Sequence, residues 1–337
     1  MTKNITKNYG ITSYIIPDRL MLNTQCNELR NWLLNEQTII EIDSFDESVF
    51  DSAVVDSIIL TYKNIKNKSK SIFAKPDVSV SNISNSKKTI IPISYFLSSP
   101  SKQFDLNYSP IKSSLIDKIR KETKKLGEIS ETKDGIIQSK IPDILFLKEE
   151  ENKYCKKILF GKDVNKFNLS FNQNWVNYQP EEMMKIEVER GGGGLRLRNK
   201  GIFEKDKILT RQTSDRIIGT IDNEFHYYSN TLHGTSITND EYDIKYVLAL
   251  MNSKTINYYY KQTTSEGGKV FAQVKIEILR QLPIKFTKYQ QPIIDLVEKV
   301  FTLNQQNEDA SNLEYEIDKL VYDLYGLTDE EIAIIET

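Results

Sequence analysis

Three strand-like runs near the start of the chain set the strongest limit on its fold. They are ITSYII (Ile11–Ile16), which Pro17 ends, TIIEI (Thr38–Ile42) and AVVDSIILTYK (Ala53–Lys63). Strands that are apolar along their whole length are typical of sheets covered on both faces. Between the first two, Leu29, Trp32 and Leu33 share one face of a helical pattern. Strand, helix and strand in this order predict an α/β sheet.

The rest of the chain divides into three stretches by composition. Residues 64–141 begin with a Lys-, Ser- and Asn-rich segment without periodicity, which predicts a linker or connecting region. Residues 142–290 contain short strand-like runs separated by Gly, Asn and Asp, which predict a compact β-rich domain. Residues 291–337 have helical periodicity. The predicted fold class is therefore α+β, with sheet strands in residues 1–63, a β-rich domain and a C-terminal helical segment.

Two local signals mark the helices at the end of the chain. Gly326 predicts the C-terminus of a helix. The apolar positions of that helix are Leu313, Ile317, Leu320, Val321 and Leu324. Thr328 and Glu331 predict a capping box for a last short helix.

The net charge of −2 conceals an uneven distribution of charge. Residues 1–150 carry 21 Lys and Arg against 19 Asp and Glu, residues 151–290 carry 22 against 16, and residues 291–337 carry 2 against 12. A basic body of this kind indicates a polyanionic partner, although scattered solvated lysines would give the same count.

Composition also bears on the compartment. Cys26 and Cys155 are far apart and have no metal-like spacing. The chain starts with a polar segment, and it has no apolar run of the roughly 18 residues that a membrane span needs. These features predict a reduced, soluble, cytoplasmic protein without a membrane contact.

Four glycines, Gly191–Gly194, run into the basic sequence LRLRNKG. A phosphate-binding loop needs a strand before it and a helix after it, and an NTPase loop also ends in Gly-Lys-Ser/Thr. The basic sequence alternates apolar and charged residues, so it predicts a strand, with the glycines as a flexible turn between two strands. In that strand Arg196 and Arg198 would share one face, with Leu195 and Leu197 on the other.

Three further basic residues come later in the chain. Lys207 and Arg211 in KILTRQ repeat the alternation, and Arg216 comes after a TSD turn. Arg suits bidentate binding of phosphates and guanine edges, whereas the alternative is an exposed charged strand face. His226 and His233 lack partners at ligand spacing, so no metal site is predicted. No Ser-His-Asp or Cys-His arrangement is recognisable, and no catalytic residue is predicted.

The order of the segments resembles Taq-type adenine DNA methyltransferases, including the fused type IIG restriction–modification enzymes. The end of their catalytic domain is matched by YGITSYIIPDRL, ELRNWLLNEQTIIEIDSF and VFDSAVVDSIILTYK. Their target-recognition domain and the segments C-terminal to it are matched by ILFGKDVNKFN, IFEKDKILTRQTSDRIIGTID, TLHGTSI, YVLALMNSKTINYYYK, GGKVFAQVKIEILRQLPI (Gly267–Ile284) and EIDKLVYDLYGLTDEEIAIIE. The resemblance covers most of the chain apart from about residues 64–140.

Two motifs of that family have no counterpart in this sequence. The Asn/Asp-Pro-Pro-Tyr/Phe loop, which binds the flipped adenine, needs adjacent prolines, and none of the nine prolines are adjacent. The glycine-rich turn that binds S-adenosylmethionine belongs upstream, and only Gly10 precedes residue 127. The resemblance therefore implies no catalytic or cofactor-binding residue in this chain, no activity by itself, and S-adenosylmethionine as cofactor of the parent enzyme.

The activity that the resemblance implies is recognition of double-stranded DNA. The expected DNA-binding side chains are Arg196, Arg198, Lys207, Arg211 and Arg216. A subunit or domain carrying the missing methyltransferase half is the second expected partner. The alternative is a free-standing specificity or regulatory subunit without a methylation role.

Overall fold

The computed structural model describes residues 6–50, 56–264 and 272–337. The predicted strand residues 53–55 and the matched residues 267–271 lie outside the described part. The chain divides into two compact units, Met1–Leu115 and Ile116–Thr337. No helix in the three described stretches is long and apolar enough to span a membrane. Both units contain strands and helices, and the predicted α+β class is confirmed.

The first unit is built on a five-stranded mixed sheet. Its elements are β1 (Ile11–Pro17), α1 (Arg19–Leu22), α2 (Asn27–Glu36), β2 (Thr38–Phe45), β3 (Ser57–Lys63), β4 (Ser71–Val78), β5 (Thr89–Pro92) and α3 (Ile93–Ser98). The strand order is β1-β3-β2-β4-β5. Strand β3 is antiparallel to both β1 and β2, β2 is parallel to β4, and β4 is antiparallel to β5.

One face of this sheet is covered by helices, and the other is open among the described residues. Ile58, Leu60 and Tyr62 alternate along β3 and are buried with Leu33 and Leu34 of α2. The opposite face and the outer strand leave large apolar side chains exposed. They are Ile11, Ile15, Phe73 and Ile90. The expectation of a sheet covered on both faces is thus met on one face.

The linker predicted for residues 64–141 is wrong. Strands β4 and β5 extend the sheet, because Ile72, Ala74 and Ile91 are buried in its core. Their short apolar alternation is concealed in the sequence by the Lys-, Ser- and Asn-rich segments on either side.

The second unit contains most of the strands and the C-terminal helices. Helix α4 (Pro110–Arg120), which begins in the first unit, leads into β6 (Thr123–Lys125), α5 (Leu126–Ile129), β7 (Ser130–Asp134), α6 (Pro142–Leu145), β8 (Phe146–Leu147), β9 (Cys155–Leu159), β10 (Val164–Asn165), β11 (Asn168–Leu169), β12 (Trp175–Asn177) and α7 (Pro180–Glu189). Next come β13 (Lys207–Arg211), β14 (Gly219–Asp222), β15 (Tyr227–Tyr228), β16 (Leu232–Ile237), α8 (Ile244–Asn252), α9 (Lys254–Thr263), α10 (Ile276–Leu279), β17 (Pro283–Lys285), α11 (Gln291–Gln305), α12 (Ser311–Tyr325) and α13 (Asp329–Glu336).

Two four-stranded sheets form the body of this unit, with strand orders β15-β9-β12-β8 and β14-β13-β16-β7. All neighbours are antiparallel except β15 and β9, which are parallel. Both sheets contribute to one hydrophobic core, in which Ile158 and Val176 of the first sheet pack with Leu209 and Leu232 of the second.

The C-terminal helices end where the sequence predicts. Gly326 follows α12 with a φ of 65°, a left-handed conformation that favours glycine. The Thr328 hydroxyl accepts the backbone N–H of Glu331, and the Glu331 carboxylate accepts that of Thr328, so the predicted capping box is confirmed. Helix α12 buries Ile317 and contacts α9 and α11.

Candidate nucleic-acid interface

The strand directions bring several chain ends of the second unit together. In the sheet β14-β13-β16-β7, the C-terminal ends of β7 and β13 lie beside the N-terminal ends of β14 and β16. In the other sheet, the C-terminal ends of β8, β9 and β15 share one end with the start of β12. Residues 229–231 connect β15 directly to β16, so the two sets of ends are adjacent.

A cleft of about 570 Å³ opens at this shared end. Phe146 and Lys148 line it from the end of β8, Phe160 and Lys162 from the end of β9, and Arg211 from the end of β13. The rings of Phe146 and Phe160 are half-buried and nearly perpendicular, with centroids 5.2 Å apart. We call this part of the second unit the cleft end.

The cations of the cleft differ in how they are held. The Arg211 guanidinium donates through Nε to the carbonyl oxygen of Val164, a neutral acceptor. The Lys148 ammonium donates to Asn174 Oδ1 at 2.8 Å, which is also neutral. Lys162 is exposed, and within the described stretches its side chain has no ion pair or hydrogen bond. No carboxylate among the described residues therefore pairs with the positive charges of the cleft.

The glycine run begins by ending helix α7. Gly191 has a φ of 70°. Its N–H donates to the Val188 carbonyl and the N–H of Gly192 donates to that of Glu187, which is the Schellman arrangement of a helix C-terminus. The predicted turn between two strands is therefore wrong, because a helix precedes the glycines. No helix begins at the glycines either, so they do not form a phosphate-binding loop.

A buried carboxylate lies beneath the glycines. Glu187 is fully buried, and its carboxylate accepts the backbone N–H groups of Lys140 at 3.0 Å and Gly194 at 3.2 Å. Hydrogen bonds from the Ser139 hydroxyl and from these backbone groups hold the pKa of Glu187 below its ordinary value. A Cβ at Gly192 would lie 2.3 Å from Glu187 Oε1. The loop is thus anchored by Glu187, and a side chain at position 192 would displace that carboxylate.

The basic segment after the glycines alternates as predicted without forming a strand. Leu195 and Leu197 are buried, whereas Arg196 is exposed. The segment makes a single β-bridge, between Arg196 and residue 137. Arg198 is half-buried with a φ of 67°, and its guanidinium forms an ion pair with Asp134 at the C-terminal end of β7.

Four of the five predicted DNA-binding side chains lie at the cleft end. Arg211 lines the cleft, and Arg198 is bound to the end of β7. Arg196 bridges to the segment that follows β7. Arg216 is exposed three residues before β14, with its Nε 3.2 Å from Asp215 Oδ1. The structure therefore brings together arginines spread over 21 positions of the sequence, and their contact with DNA stays a prediction.

The prediction for Lys207 is wrong. Lys207 lies at the opposite end of β13 and is fully buried, with its ammonium 2.6 Å from Asp222 Oδ2 and 2.7 Å from the carbonyl oxygen of Phe203. Burial lowers the pKa of Lys207, and the Asp222 charge offsets only part of that effect. Alternation failed here because β13 is a central strand that is buried on both faces.

The two histidines are also structural. His226 Nδ1 lies 2.9 Å from Asp222 Oδ1. Burial acts to raise the pKa of Asp222, but the hydrogen bond to His226 and the Lys207 charge outweigh it and hold that pKa below its ordinary value. His233 Nε2 lies 2.8 Å from the carbonyl oxygen of Val274. No cluster of three metal-ligating side chains occurs in the part of the chain that the structure describes.

Sequence reasoning missed the cleft itself. Its aromatic and lysine residues come from separate strand ends that no spacing rule connects. A weak signal exists in FGK, residues 160–162, where an aromatic, a glycine and a lysine follow an apolar strand.

Comparisons with known proteins show similarity to a domain family over part of the chain and give the fold. Residues 156–284 match the model of the TaqI-like C-terminal specificity domain. The type IIL restriction–modification enzyme MmeI, solved in complex with DNA, matches with a TM-score of 0.55 at 12% identity, over 96% of this chain and 48% of its own. The type IIG restriction endonuclease BpuSI matches with a TM-score of 0.38 at 12% identity, over the same shares of the two chains.

A third match is the HsdS subunit from Thermoanaerobacter tengcongensis, with a TM-score of 0.30 at 11% identity, over 64% of this chain and 50% of its own. No curated protein matches the sequence. The chain spans about half the length of these solved chains. Residues 156–284 therefore resemble the TaqI-like C-terminal specificity domain, within a chain that shares its fold with part of a type IIL restriction–modification enzyme.

Proposed function

We propose that this chain recognises a DNA target for a site-specific adenine-N6 methyltransferase or type II restriction–modification enzyme, in the cytoplasm. One observation carries the proposal. Arg211 lines a cleft whose cations are bound by neutral acceptors or by none, and Arg196 and Arg198 lie at the same end of the sheets, where Arg198 pairs with Asp134. Guanidinium groups bind phosphates and purine edges, so this end suits the surface of a duplex. MmeI, which shares the fold, was solved with DNA.

The arginines divide into two kinds, which suggests a division of work. Arg196 and Arg216 are exposed, and such side chains can follow the sugar–phosphate backbone. Arg198 donates to the Gly135 carbonyl and to Asp134, and Arg211 is fixed by a carbonyl as well. A guanidinium held in one orientation suits the geometry of a base edge. We therefore assign phosphate contacts to the exposed pair and base reading to the fixed pair.

S-adenosylmethionine, the cofactor of the parent family, does not fit this chain. Residues 1–115 contain Gly10 as their one glycine and no adjacent prolines, so they hold neither the glycine-rich turn nor the Pro-Pro loop. These residues therefore supply no step of methyl transfer, and the chain by itself is expected to bind no cofactor. Its contribution would be to hold the duplex and select the site at which a base is flipped out.

The first unit offers a place for a second partner. Strand β1 is the outer strand of its sheet, and Ile11 and Ile15 are 66% and 48% exposed. An exposed apolar edge strand invites pairing with another strand. We propose that a subunit or domain carrying the methyltransferase half adds its sheet to β1. A separate chain that carries the methyltransferase half should form a stable complex with this protein, and Ile15→Lys should weaken that complex. Failure of the two chains to bind each other would contradict the proposal.

The DNA proposal is tested by hydrogen–deuterium exchange of the full chain with and without a mixed-sequence duplex at low salt. We expect slower exchange at residues 190–198, 211–216 and 158–162 on DNA binding. Residues 222–226, at the opposite end of the same sheet, serve as the internal control and should not change. Protection confined to residues 291–337, or no protection by any duplex, would contradict DNA recognition by the cleft end.

A further inference from the structure

The cleft has the dimensions of a small-ligand site. Its volume of about 570 Å³ lies within the roughly 300–1,000 Å³ of pockets that enclose small molecules. A B-DNA duplex, whose major groove alone is about 12 Å wide, cannot enter it. A single nucleotide can. A DNA base that reaches the inner wall of the cleft must therefore leave the stacked helix.

The inner wall of the cleft is aromatic. The rings of Phe146 and Phe160 meet at 86° and are both half-buried, so together they form an apolar corner. Unpaired bases stack on aromatic side chains whatever their identity, because every base has a flat face. An apolar corner of this kind suits a planar base better than a sugar or a phosphate.

The rim of the cleft is cationic and polar. Lys162 is exposed without an ion-pair partner in the described stretches, and Arg211 and Lys148 are bound to neutral oxygens. Among the described residues that line the cleft there is no Asp, Glu, His or Cys. Cations beside an apolar wall match a phosphate beside a base. The lining thus offers an apolar surface for a base and cations for a phosphate.

We propose that the cleft binds one unstacked nucleotide of the DNA, with its base on the Phe146–Phe160 corner and its phosphate at Lys162. The inference rests on the proposed function and adds a site at which an extrahelical base is held. A free mononucleotide has the same chemistry. We favour DNA because the exposed Arg196 and Arg216 lie in segments at the same end of the sheets as the cleft.

The test compares three duplexes bound to the full chain. The first is fully paired, the second carries one bulged 2-aminopurine, and the third carries an abasic bulge at the same position. We expect the 2-aminopurine duplex to bind at least about fivefold more tightly than the abasic one, which is the lower end of what base–aromatic stacking contributes. Its fluorescence should also be quenched on binding. Equal affinities without quenching would overturn the proposal.

Variants of the cleft lining test whether the preference for the bulged 2-aminopurine arises in the cleft. Phe160→Leu should abolish the preference for the 2-aminopurine duplex and leave binding of the paired duplex unchanged. Since Phe160 packs on the core, Lys162→Gln is the second variant, and it should weaken binding of the bulged duplexes more than that of the paired one. Lys299→Gln on α11 removes an equally exposed charge and should change nothing. A preference for the 2-aminopurine duplex that survives Phe160→Leu, or equal weakening of paired and bulged duplexes by Lys162→Gln, would overturn the proposal.

The outcomes separate this inference from the function on which it rests. Binding of the paired duplex that depends on Arg196, without a preference for the bulged base, refutes the cleft site alone. Absence of binding to any duplex refutes both. If deoxyadenosine monophosphate binds at micromolar concentration and duplex DNA does not displace it, the cleft is a site for a free nucleotide. That result would overturn the proposal.

Discussion

The two ends of strand β13 carry cations of opposite character. At one end the Lys207 ammonium is fully buried against the Asp222 carboxylate, and at the other the Arg211 guanidinium is half-buried against neutral acceptors. Only four positions separate the two residues. The two residues differ in how their positive charges are balanced. Lys207 is paired with a carboxylate, whereas Arg211 has no carboxylate partner among the described residues. A cation without an internal counter-charge remains available to bind a phosphate.

This comparison explains why a run of basic residues is a poor map of a binding surface. A buried ion pair contributes little net stability, but removal of one partner is costly because it leaves an unpaired charge away from water. Lys207 is therefore committed to Asp222. The Arg196 guanidinium is exposed and has no ion pair in the described stretches, so it is free to bind a ligand. The cleft end and the opposite end can be told apart by what a charge-removing substitution does to stability and to DNA affinity.

The largest expected effect is at the buried end. Asp222→Ala should lower the free energy of unfolding by about 3–5 kcal/mol, because it strands the Lys207 charge in the core. Denaturant unfolding measures it. Asp215→Ala is the matched control, since Asp215 and Arg216 are both exposed, and it should stay within about 0.5 kcal/mol of wild type. A loss below about 1 kcal/mol for Asp222→Ala would show that the pair is not buried.

The second effect concerns the loop that carries Arg196. Gly192→Ala places a Cβ against the Glu187 carboxylate and should destabilise the fold by about 1–3 kcal/mol while lowering DNA affinity. At Gly193 a Cβ meets nothing within 4 Å, so Gly193→Ala should stabilise the chain by about 0.4–1 kcal/mol. Thermal unfolding of both variants checks the pair. Similar behaviour of the two would mean that Glu187 does not anchor the loop.

The sequence predicts the elements better than it predicts their surroundings. The caps at Gly326 and Thr328 are local hydrogen-bond patterns, and both are confirmed. The burial of Leu195 and Leu197 is likewise confirmed, because alternation depends only on neighbouring residues. The exposure predicted for Lys207 is wrong because exposure of a strand depends on its neighbours in the sheet, which the local pattern does not contain.

The cleft could not be predicted for the same reason. Phe146, Phe160 and Arg211 meet only because strands β8, β9 and β13 end at the same side of two sheets. Strand order is a long-range property. At the glycine run the local sequence does contain the answer, because the helical pattern of MMKIEVE before it indicates a helix C-terminus. The basic alternation after the glycines, however, favours a hairpin.

A third prediction concerns the pH dependence of stability, which tests the Glu187 carboxylate beneath the loop that carries Arg196. The pKa of Glu187 is lowered in the folded state, so its contribution to stability is complete above the unfolded value of about 4.3 and is lost as pH falls through the folded pKa. Glu187→Gln should therefore be less stable than wild type at pH 7, and the gap should narrow below about pH 4. Urea unfolding from pH 7 to pH 3 measures the gap. A gap that stays constant over this range would contradict the role of the ionised carboxylate.

Salt dependence tests most directly whether DNA binds the cleft end. Each phosphate contact adds about 0.9 to the slope of log affinity against log salt. The double variant Arg196→Gln/Arg216→Gln should lower that slope by about two, with unfolding unchanged. Lys261→Gln/Lys299→Gln removes two exposed charges from α9 and α11 and should keep the wild-type slope. If the arginine variant binds as wild type at every salt concentration, the cleft end is not the DNA-binding surface.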